Sequence, residues 1–381
     1  MNNFSFYIAK LKHKILTSFH NLDNLLDKVP LTLSTIFIVI IFSLSSIIAI
    51  FSTVANDSLK LTLLCRQLES TFIGVICILI ISRIPFEKIL KNWIYCFIAY
   101  LLFIWPVLIL GIRVNGMKGW YRIYDITLQP SELSRSLFLV AICYLFSLDI
   151  SSIKRFFLFI VVAVLAIGPI VLQPDLGTAV VFSLVLYIIY FLSEKNLKYL
   201  FFFPVVGLVG IILFCMKYQY ALKRITGFLD PEADLHRSGW HIMQFKFAIA
   251  RGHLTGVKSN YAAWSKSYLP FSYNDSIFAS TAEITGFVGV VTLIILVMLL
   301  AYLLVKKQSN LALTSAKFYL IGSSSFILLQ SFIHSSVNLA ILPPTGITFP
   351  FFSFGGSSFI GFSILLGFAL SASKCTTIET K

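Results

Sequence analysis

The chain has 381 residues, of which 58% are hydrophobic and only 12% are charged. Soluble domains carry roughly 25% charged residues. The charged residues of this chain are too few to cover a water-facing surface, so a soluble globular protein is excluded. The 30 basic residues outnumber the 16 acidic ones and give a net charge of +14. Membrane proteins collect basic residues in cytoplasmic loops and at lipid headgroups. The composition therefore predicts a polytopic membrane protein that binds no nucleic acid.

Common metal and nucleotide motifs are missing from the sequence. The six histidines and six cysteines show none of the close spacings that zinc ligands have. No Gly-rich phosphate loop or dinucleotide fingerprint occurs either. ATP hydrolysis, hydride transfer and a dedicated zinc site are therefore not expected.

Ten apolar runs could cross a membrane, and none alternates as a barrel strand would. A helix needs about 20 residues to cross the roughly 30 Å apolar core of a bilayer. The runs lie at about 31–51, 70–84, 93–112, 131–148, 156–173, 176–193, 199–216, 282–305, 314–336 and 352–373. We predict an all-α polytopic membrane protein of about ten transmembrane helices. One membrane domain covers 31–373, between an N-terminal segment (1–30) and a short tail (374–381).

The distribution of basic residues predicts the orientation. An even number of spans places both termini on one side, and the positive-inside rule assigns basic clusters to the cytoplasm. The N-terminal segment and Lys306–Lys307 are such clusters, so both termini are predicted to be cytoplasmic. The connection 217–281 is then outside despite its basic residues, because long loops translocate whatever their charge.

This extracytoplasmic connection between helices 7 and 8 does not read as a linker. It is neither Gly/Ser-rich nor poor in apolar residues, and Ile242, Phe245 and Ile249 would share one side of a short helix. We predict a folded element that lies on the membrane surface or re-enters it.

Ionisable residues at membrane depth are functional candidates, because they are costly to bury there. Glu132 and Arg135 stand three residues apart at the start of the fourth run, so they share a helix face. They could form an ion pair that points into the bundle. A purely structural pair that locks two helices is the alternative.

Three other carboxylates lie at the ends of predicted spans. Asp175 stands between the fifth and sixth runs, where it could simply cap a helix. Glu283 opens the eighth run, where the helix dipole favours a carboxylate. Asp275 lies at the outer end of the basic connection, which suits a phosphate-bearing lipid with a general base beside it. A solvated loop aspartate is the alternative for Asp275.

The stretch 341–358, ILPPTGITFPFFSFGGSS, is uncharged and crowded with Pro and Gly at predicted membrane depth. Irregular backbone is tolerated there only where protein or a cavity covers it. We therefore expect this stretch to line a site or a gate.

In their order, these motifs resemble the SEDS family of bacterial cell-wall proteins, which includes RodA, FtsW and SpoVE. The resemblance covers about 116–370. It rests on KGWYRI with QPSEL, LQPDLGTA, RITGFLDPEAD with SGWHIMQFKFAIA, YLPFSYNDSIFA with AEITGFVG, and LPPTGITFPFFSFGGSS. The QFKFAI stretch is closer to the RodA pattern than to FtsW.

The resemblance implies a peptidoglycan glycosyltransferase of the bacterial inner membrane that polymerises lipid II during cell-wall elongation and shape maintenance. Its donor would be a glycan strand on undecaprenyl pyrophosphate. Asp275 would be the catalytic acid/base. The other implied site residues bind substrate: Lys246, Arg224, Arg237, Gln244, Glu132, Arg135, Glu283 and Asp175. A divalent cation, Mg²⁺ or Mn²⁺, could assist.

The resemblance also implies partners, namely a class B penicillin-binding protein and the cell-wall elongation machinery. Three other functions stay open at this point: a flippase for lipid-linked precursors, a division-type polymerase like FtsW, and an inactive scaffold for a penicillin-binding protein. A flippase would need the same amphiphilic cavity and intramembrane charges. A scaffold would need only the fold and a partner surface.

Overall fold

A computed structural model describes residues 29–114, 116–124, 126–194, 196–232, 238–257, 263–309 and 311–375. The helices in these ranges are α1 (Leu31–Thr53), α2 (Asp57–Ile81), α3 (Phe86–Lys91), α4 (Trp93–Ile104), α5 (Val107–Leu110), α6 (Pro130–Ser147), α7 (Ser152–Val162), α8 (Gly168–Leu172), α9 (Leu176–Ser193), α10 (Leu197–Lys217), α11 (Gln219–Leu229), α12 (Ser238–Gly252), α13 (Ala263–Ser267), α14 (Ile277–Gln308), α15 (Thr314–Asn338) and α16 (Gly356–Ala372). A π-helical turn, Ala163–Ile167, joins α7 to α8. The short strands are β1 (Ile112–Val114), β2 (Met117–Ile123) and β3 (Ile126–Leu128).

The predicted polytopic helical class is confirmed. Within the described ranges, eight helical segments are long and apolar enough to cross a membrane. Two further helices, α6 and α16, match the fourth and tenth predicted runs. Helix α6 carries Glu132, Arg135 and several serines, and α16 has only 17 residues. The total of ten spans stays a prediction.

The second predicted run is too short at its start. Helix α2 begins at Asp57, thirteen positions before residue 70, and the side chain of Asn56 caps it by accepting the N–H of Leu59 at 3.0 Å. Lys60 and Arg66 therefore lie on this helix. Hydropathy detects the apolar part of a helix, whereas a capped helix can continue through polar turns outside the bilayer.

The helical bundle also contains one feature that the sequence did not predict, a small antiparallel sheet of order β1-β2-β3. The third predicted run, 93–112, is helical as far as Leu110, and its last residue, Ile112, starts β1. Ile112 pairs with Trp120, and Tyr121 pairs with Leu128. Strands β1 and β3 have only three residues each, which is too short for an alternating pattern to be recognised in the sequence.

Helix α6 is the centre of the bundle, and most of its residues are buried. It packs against α4, α9, α15 and α16. Three rings form one cluster: Phe138 on α6, Phe182 on α9 and Phe326 on α15. The centroid of the Phe182 ring lies 5.0 Å from that of Phe138 and 5.1 Å from that of Phe326. A Cβ at Gly361 on α16 would lie 2.1 Å from the carbonyl oxygen of Glu132, so the two helices cross in backbone contact.

The long connection is attached to α14 at a break in that helix. Gly286 has φ 65° and ψ −164°, outside the helical region. The N–H groups of Phe287 and Val288 donate to the carbonyls of His253 and Leu254, at 3.0 Å and 3.1 Å. A Cβ at Gly252 would lie 1.9 Å from the carbonyl oxygen of Ala282. The described parts of the connection are therefore folded and tightly joined to the bundle, while their position at the membrane surface stays a prediction.

Candidate functional site

Asp275 lies just before α14, on a backbone segment that three hydrogen bonds hold in place. The carbonyl of Asp275 accepts from Nδ2 of Asn338 at 2.9 Å. The carbonyl of Asn274 accepts from the hydroxyl of Ser353 at 3.1 Å, and that of Tyr273 accepts from the N–H of Phe354 at 2.9 Å. The backbone at Asp275 is thus anchored between the end of α15 and the irregular segment that precedes α16.

Asp175 is the N-cap of α9, as its simpler interpretation predicted. Its Oδ1 accepts the N–H of Thr178 at 3.1 Å. Its Oδ2 accepts Nε2 of Gln129 at 3.1 Å, and Gln129 immediately precedes α6. The buried Asp175 carboxylate therefore also links the starts of α6 and α9.

Arg224 on α11 brings its charge to both of these aspartates. Burial raises the pKa of the Asp275 carboxyl above its ordinary value, and the positive charge of Arg224 opposes this rise. Burial also raises the pKa of the Asp175 carboxyl above its ordinary value. Hydrogen bonds from Thr178, the charge of Arg224 and a hydrogen bond from Gln129 oppose this rise. Asp175, Arg224 and Asp275 come from three separate regions of the chain, so only the fold brings them together.

His241 is a fourth group of this cluster, and the sequence reasoning did not select it. It lies on α12 and is half-buried. Burial lowers its pKa, and the nearby charge of Arg224 lowers it further. The imidazole is therefore favoured in its neutral form. Its position in SGWHIMQFKFAIA was visible in the sequence, but no spacing to another ligand or carboxylate distinguished it.

The predicted Glu132–Arg135 ion pair is present inside the bundle. Arg135 is 1% exposed, and its Nε also donates to the carbonyl of Glu132 at 2.9 Å. Its Nη1 donates to Oε1 of Gln330 at 3.1 Å, and its guanidinium carbon lies 3.8 Å from the ring centroid of Phe362. Gln330 in turn donates to the carbonyl of Thr348 at 3.2 Å. The pair therefore connects α6 to α15, α16 and the irregular segment.

Glu283 does not have the position that the sequence suggested. Helix α14 begins at Ile277, so Glu283 lies beyond its first turn and is fully buried. Its carboxylate accepts the N–H groups of Trp264 at 3.3 Å and Ser265 at 2.8 Å, and Nε of Arg251 at 3.1 Å. These contacts occupy the carboxylate. Glu283 thus caps α13 and holds the connection against α14. Its predicted substrate contact stays a prediction.

The remaining predicted residues are not all placed in the cluster. Gln244 is buried on α12, and its Oε1 has no hydrogen-bond partner among the described residues. Lys246 is exposed on the same helix. Arg237 lies outside the described residues. The structure therefore leaves substrate contacts by Lys246 and Arg237 as predictions.

The segment 339–355 has no regular secondary structure, and most of its second half is buried. Phe349, Phe351 and Phe352 are buried. The carbonyl of Ile347 lies 2.7 Å from Nδ1 of His334, and the carbonyl of Pro344 accepts from Nη1 of Arg224 at 3.3 Å. This segment thus forms one wall beside the aspartate cluster.

The cluster does not provide a protein cage for a divalent cation. In the described ranges, no three side chains among His, Cys, Asp and Glu come close enough to hold a metal ion. Mg²⁺ and Ca²⁺ prefer six or more oxygen ligands, and Arg224 already places positive charge near both aspartates. The described residues thus form no all-protein metal site. Assistance by Mg²⁺ or Mn²⁺ stays a prediction, because Mg²⁺ is often bound by one or two carboxylates together with substrate phosphates.

Comparison with known proteins gives consistent matches. The sequence model of the FtsW, RodA and SpoVE proteins, described as "Cell cycle protein", matches residues 26–378. A probable peptidoglycan glycosyltransferase FtsW of Haemophilus ducreyi is 30% identical over 303 residues, which are 76% of this chain and 75% of that protein. A chain from a peptidoglycan synthase complex that coordinates polymerization and crosslinking has a TM-score of 0.77 at 25% identity, over 90% of this chain and 97% of that one. RodA of Thermus thermophilus has a TM-score of 0.67 at 22% identity, over 90% and 96%.

The helical bundle and its buried charges define a polytopic membrane protein with a site at one end of the bundle. The chain belongs to the SEDS family, the family of FtsW, RodA and SpoVE. The matches do not separate RodA from FtsW, because a sequence relative is named FtsW and a structural neighbour is RodA. The closer likeness to RodA thus stays a prediction.

Proposed function

We propose that this protein is a peptidoglycan glycosyltransferase that polymerises lipid II on the outer face of the bacterial inner membrane. The relative from Haemophilus ducreyi carries this activity in its name. The observation that carries the proposal is Asp275, whose backbone is held at the end of the bundle and whose carboxyl is influenced by the positive charge of Arg224. This arrangement combines a base with a cation suited to a phosphate group.

The proposed reaction is a glycosyl transfer with inversion. The 4-hydroxyl of the incoming lipid II sugar attacks the anomeric carbon of the growing strand. The bond between that carbon and the pyrophosphate oxygen breaks, and a glycosidic bond forms. Asp275 accepts the hydroxyl proton, and undecaprenyl pyrophosphate leaves with the electron pair of the broken bond. A general base of this kind contributes typically 10²–10⁴-fold in rate.

The environment of Asp275 suits a base. Burial raises its pKa, which makes the carboxylate a stronger proton acceptor, while Arg224 favours the deprotonated form that the reaction needs. Arg224 would also stabilise the negative charge that develops on the leaving pyrophosphate, as a preorganised cation does. Lys246 and Arg237 are proposed to act on the same group. Glu132 and Arg135 shape the interior that receives the lipid.

The proposed partner is a class B penicillin-binding protein that crosslinks the new strands. The structural neighbour from a peptidoglycan synthase complex supports a shared assembly of this kind. A role in elongation and cell shape, with the elongation machinery as the wider partner, follows the likeness to RodA. A division role would follow the likeness to FtsW.

Polymerisation of lipid II by purified protein tests the proposal. Asp275→Asn keeps the size of the side chain and removes the proton acceptor, so the rate is expected to fall by roughly 10²–10⁴-fold while lipid II binding persists. Asp57→Asn changes an exposed aspartate of α2 in the same way and serves as the matched control. Polymerisation by Asp275→Asn at the wild-type rate would remove Asp275 as the base. Absence of polymer from the wild type with its partner present would favour a flippase or a scaffold.

A further inference from the structure

A cavity of about 310 Å³ lies at the end of the bundle opposite Asp275. The first turn of α1, the last turn of α14 and the residues after α16 line it, with Pro30, Leu31, Thr32, Lys307, Ser373 and Lys374 among them. Helix α14 runs from beside Asp275 to Lys307, and its 32 residues span roughly 45 Å at 1.5 Å per residue. The cavity is therefore separate from the aspartate cluster.

Two lysines from different helices give this cavity its positive charge. Lys307 comes from the end of α14, and Lys374 follows α16. Lys374 donates one hydrogen bond through Nζ to the carbonyl of Ser82 at 2.8 Å. Because an ammonium group has three donors, this bond positions Lys374 and leaves it able to bind an anion. No acidic side chain is among the described residues that line the cavity.

The start of α1 adds backbone donors to the same cavity. Pro30 is the N-cap residue, and no side chain caps the helix. The N–H groups of Leu33 and Ser34 donate to the carbonyl of Pro30, at 2.9 Å and 3.1 Å. For Leu31 and Thr32, the described part of the chain offers no backbone or side-chain acceptor. Free N–H groups and the helix dipole attract anions at such a terminus.

Exposed apolar side chains lie near the cavity on two of the helices that line it. Leu33 and Phe37 are exposed apolar residues on α1, within two turns of the cavity, and Tyr302 and Val305 are exposed on α14. Helices α1 and α14 pack together, so exposed apolar side chains are available near the cavity on both helices. A phosphate held by the lysines would place its acyl chains along these side chains.

We propose that this cavity binds the phosphate headgroup of an anionic phospholipid. The lysines and the start of α1 contact the phosphate oxygens, and the acyl chains follow α1 and α14. A zwitterionic headgroup fits poorly, because its own ammonium group would be repelled by Lys307 and Lys374. With the predicted topology, the lipid belongs to the cytoplasmic leaflet.

Native mass spectrometry of the full-length protein in a neutral detergent tests the proposal. Phosphatidylglycerol and phosphatidylcholine with identical acyl chains are added in turn, and the bound lipid is counted. We expect preferential retention of phosphatidylglycerol. Lys307→Gln combined with Lys374→Gln should weaken its binding about tenfold, since each lysine near a lipid surface contributes to the attraction.

Two further variants distinguish binding from folding. Lys154→Gln with Lys198→Gln removes two exposed lysines that are also predicted to be cytoplasmic, and phosphatidylglycerol binding should be unchanged. Thr32→Glu adds a negative charge to the cavity while the bond between Lys374 and Ser82 stays, and it should also weaken binding. Equal retention of phosphatidylglycerol by all variants would overturn the proposal. Inorganic phosphate that displaces phosphatidylglycerol at equal concentration would show a soluble ligand and overturn the assignment to a lipid.

Discussion

Arg224 donates a hydrogen bond through Nη1 to the carbonyl oxygen of Pro344, over a distance of 3.3 Å. This bond joins α11, at the start of the long connection, to the irregular segment before α16. The charge of the same arginine lowers the pKa of the Asp175 and Asp275 carboxyls. Arg224 therefore contacts the irregular segment and also favours the charged form of both carboxyls.

Replacing this arginine should change the pH dependence of polymerisation. Asp275 accepts a proton only when it is deprotonated, so the rate should fall as the pH drops through its pKa. Arg224 lowers that pKa against the effect of burial. Arg224→Gln removes the lowering, so the pKa rises further and the acidic loss of activity begins at a higher pH. Rates measured across the acidic to neutral range give this shift.

Two variants serve as references for the pH experiment. Lys217→Gln removes an exposed charge just before α11 and should leave the profile in place. His241→Gln matters because the pKa of His241 is also lowered by Arg224. If the combined variant His241→Gln with Arg224→Gln lost the shift, His241 and not Asp275 would be the titrating group.

The buried ion pair should show strong coupling in a double-mutant cycle. Glu132→Gln or Arg135→Met alone leaves an uncompensated buried charge, which costs about 3–5 kcal/mol. The double variant should be clearly more stable than the sum of the single losses predicts. Melting in detergent measures the four proteins. Asp57→Asn breaks the exposed pair with Lys60 and should change the melting temperature little. Small, additive losses at positions 132 and 135 would show that the pair is not buried.

Two helical glycines should respond oppositely to the same substitution. Gly252→Ala places a Cβ 1.9 Å from the carbonyl oxygen of Ala282, so backbone must move, at a cost of roughly 1–3 kcal/mol. Gly210→Ala on α10 meets nothing within 4 Å and should leave stability equal or slightly higher, because alanine is the better helix former. Melting in detergent compares them. A stable Gly252→Ala protein would contradict the close crossing of α12 and α14.

Cysteine labelling should confirm the orientation of the bundle. In a protein without native cysteines, Ser267→Cys on α13 should react with an impermeant reagent in intact cells. Ser309→Cys, which follows α14 next to Lys306 and Lys307, should react only after permeabilisation. The opposite pattern would invert the topology and would place the candidate site inside the cell.

The sequence alone was sufficient for features that depend on neighbouring residues. Apolar runs of about 20 residues identify membrane helices because lipid demands both length and apolarity. The i, i+3 spacing of Glu132 and Arg135 predicts their ion pair, and the side shared by Ile242 and Phe245 predicts α12. The uncharged Pro- and Gly-rich segment was likewise recognised as irregular.

The tertiary structure decided which of the charged residues meet. Asp175, Arg224 and Asp275 are far apart in the chain, and a shared electrostatic environment arises only when α9, α11 and the end of the connection pack together. Glu283 could not be assigned from sequence, because its partners lie on α12 and α13. Spacing and hydropathy report local geometry, whereas burial and the pairing of charges depend on contacts between distant segments.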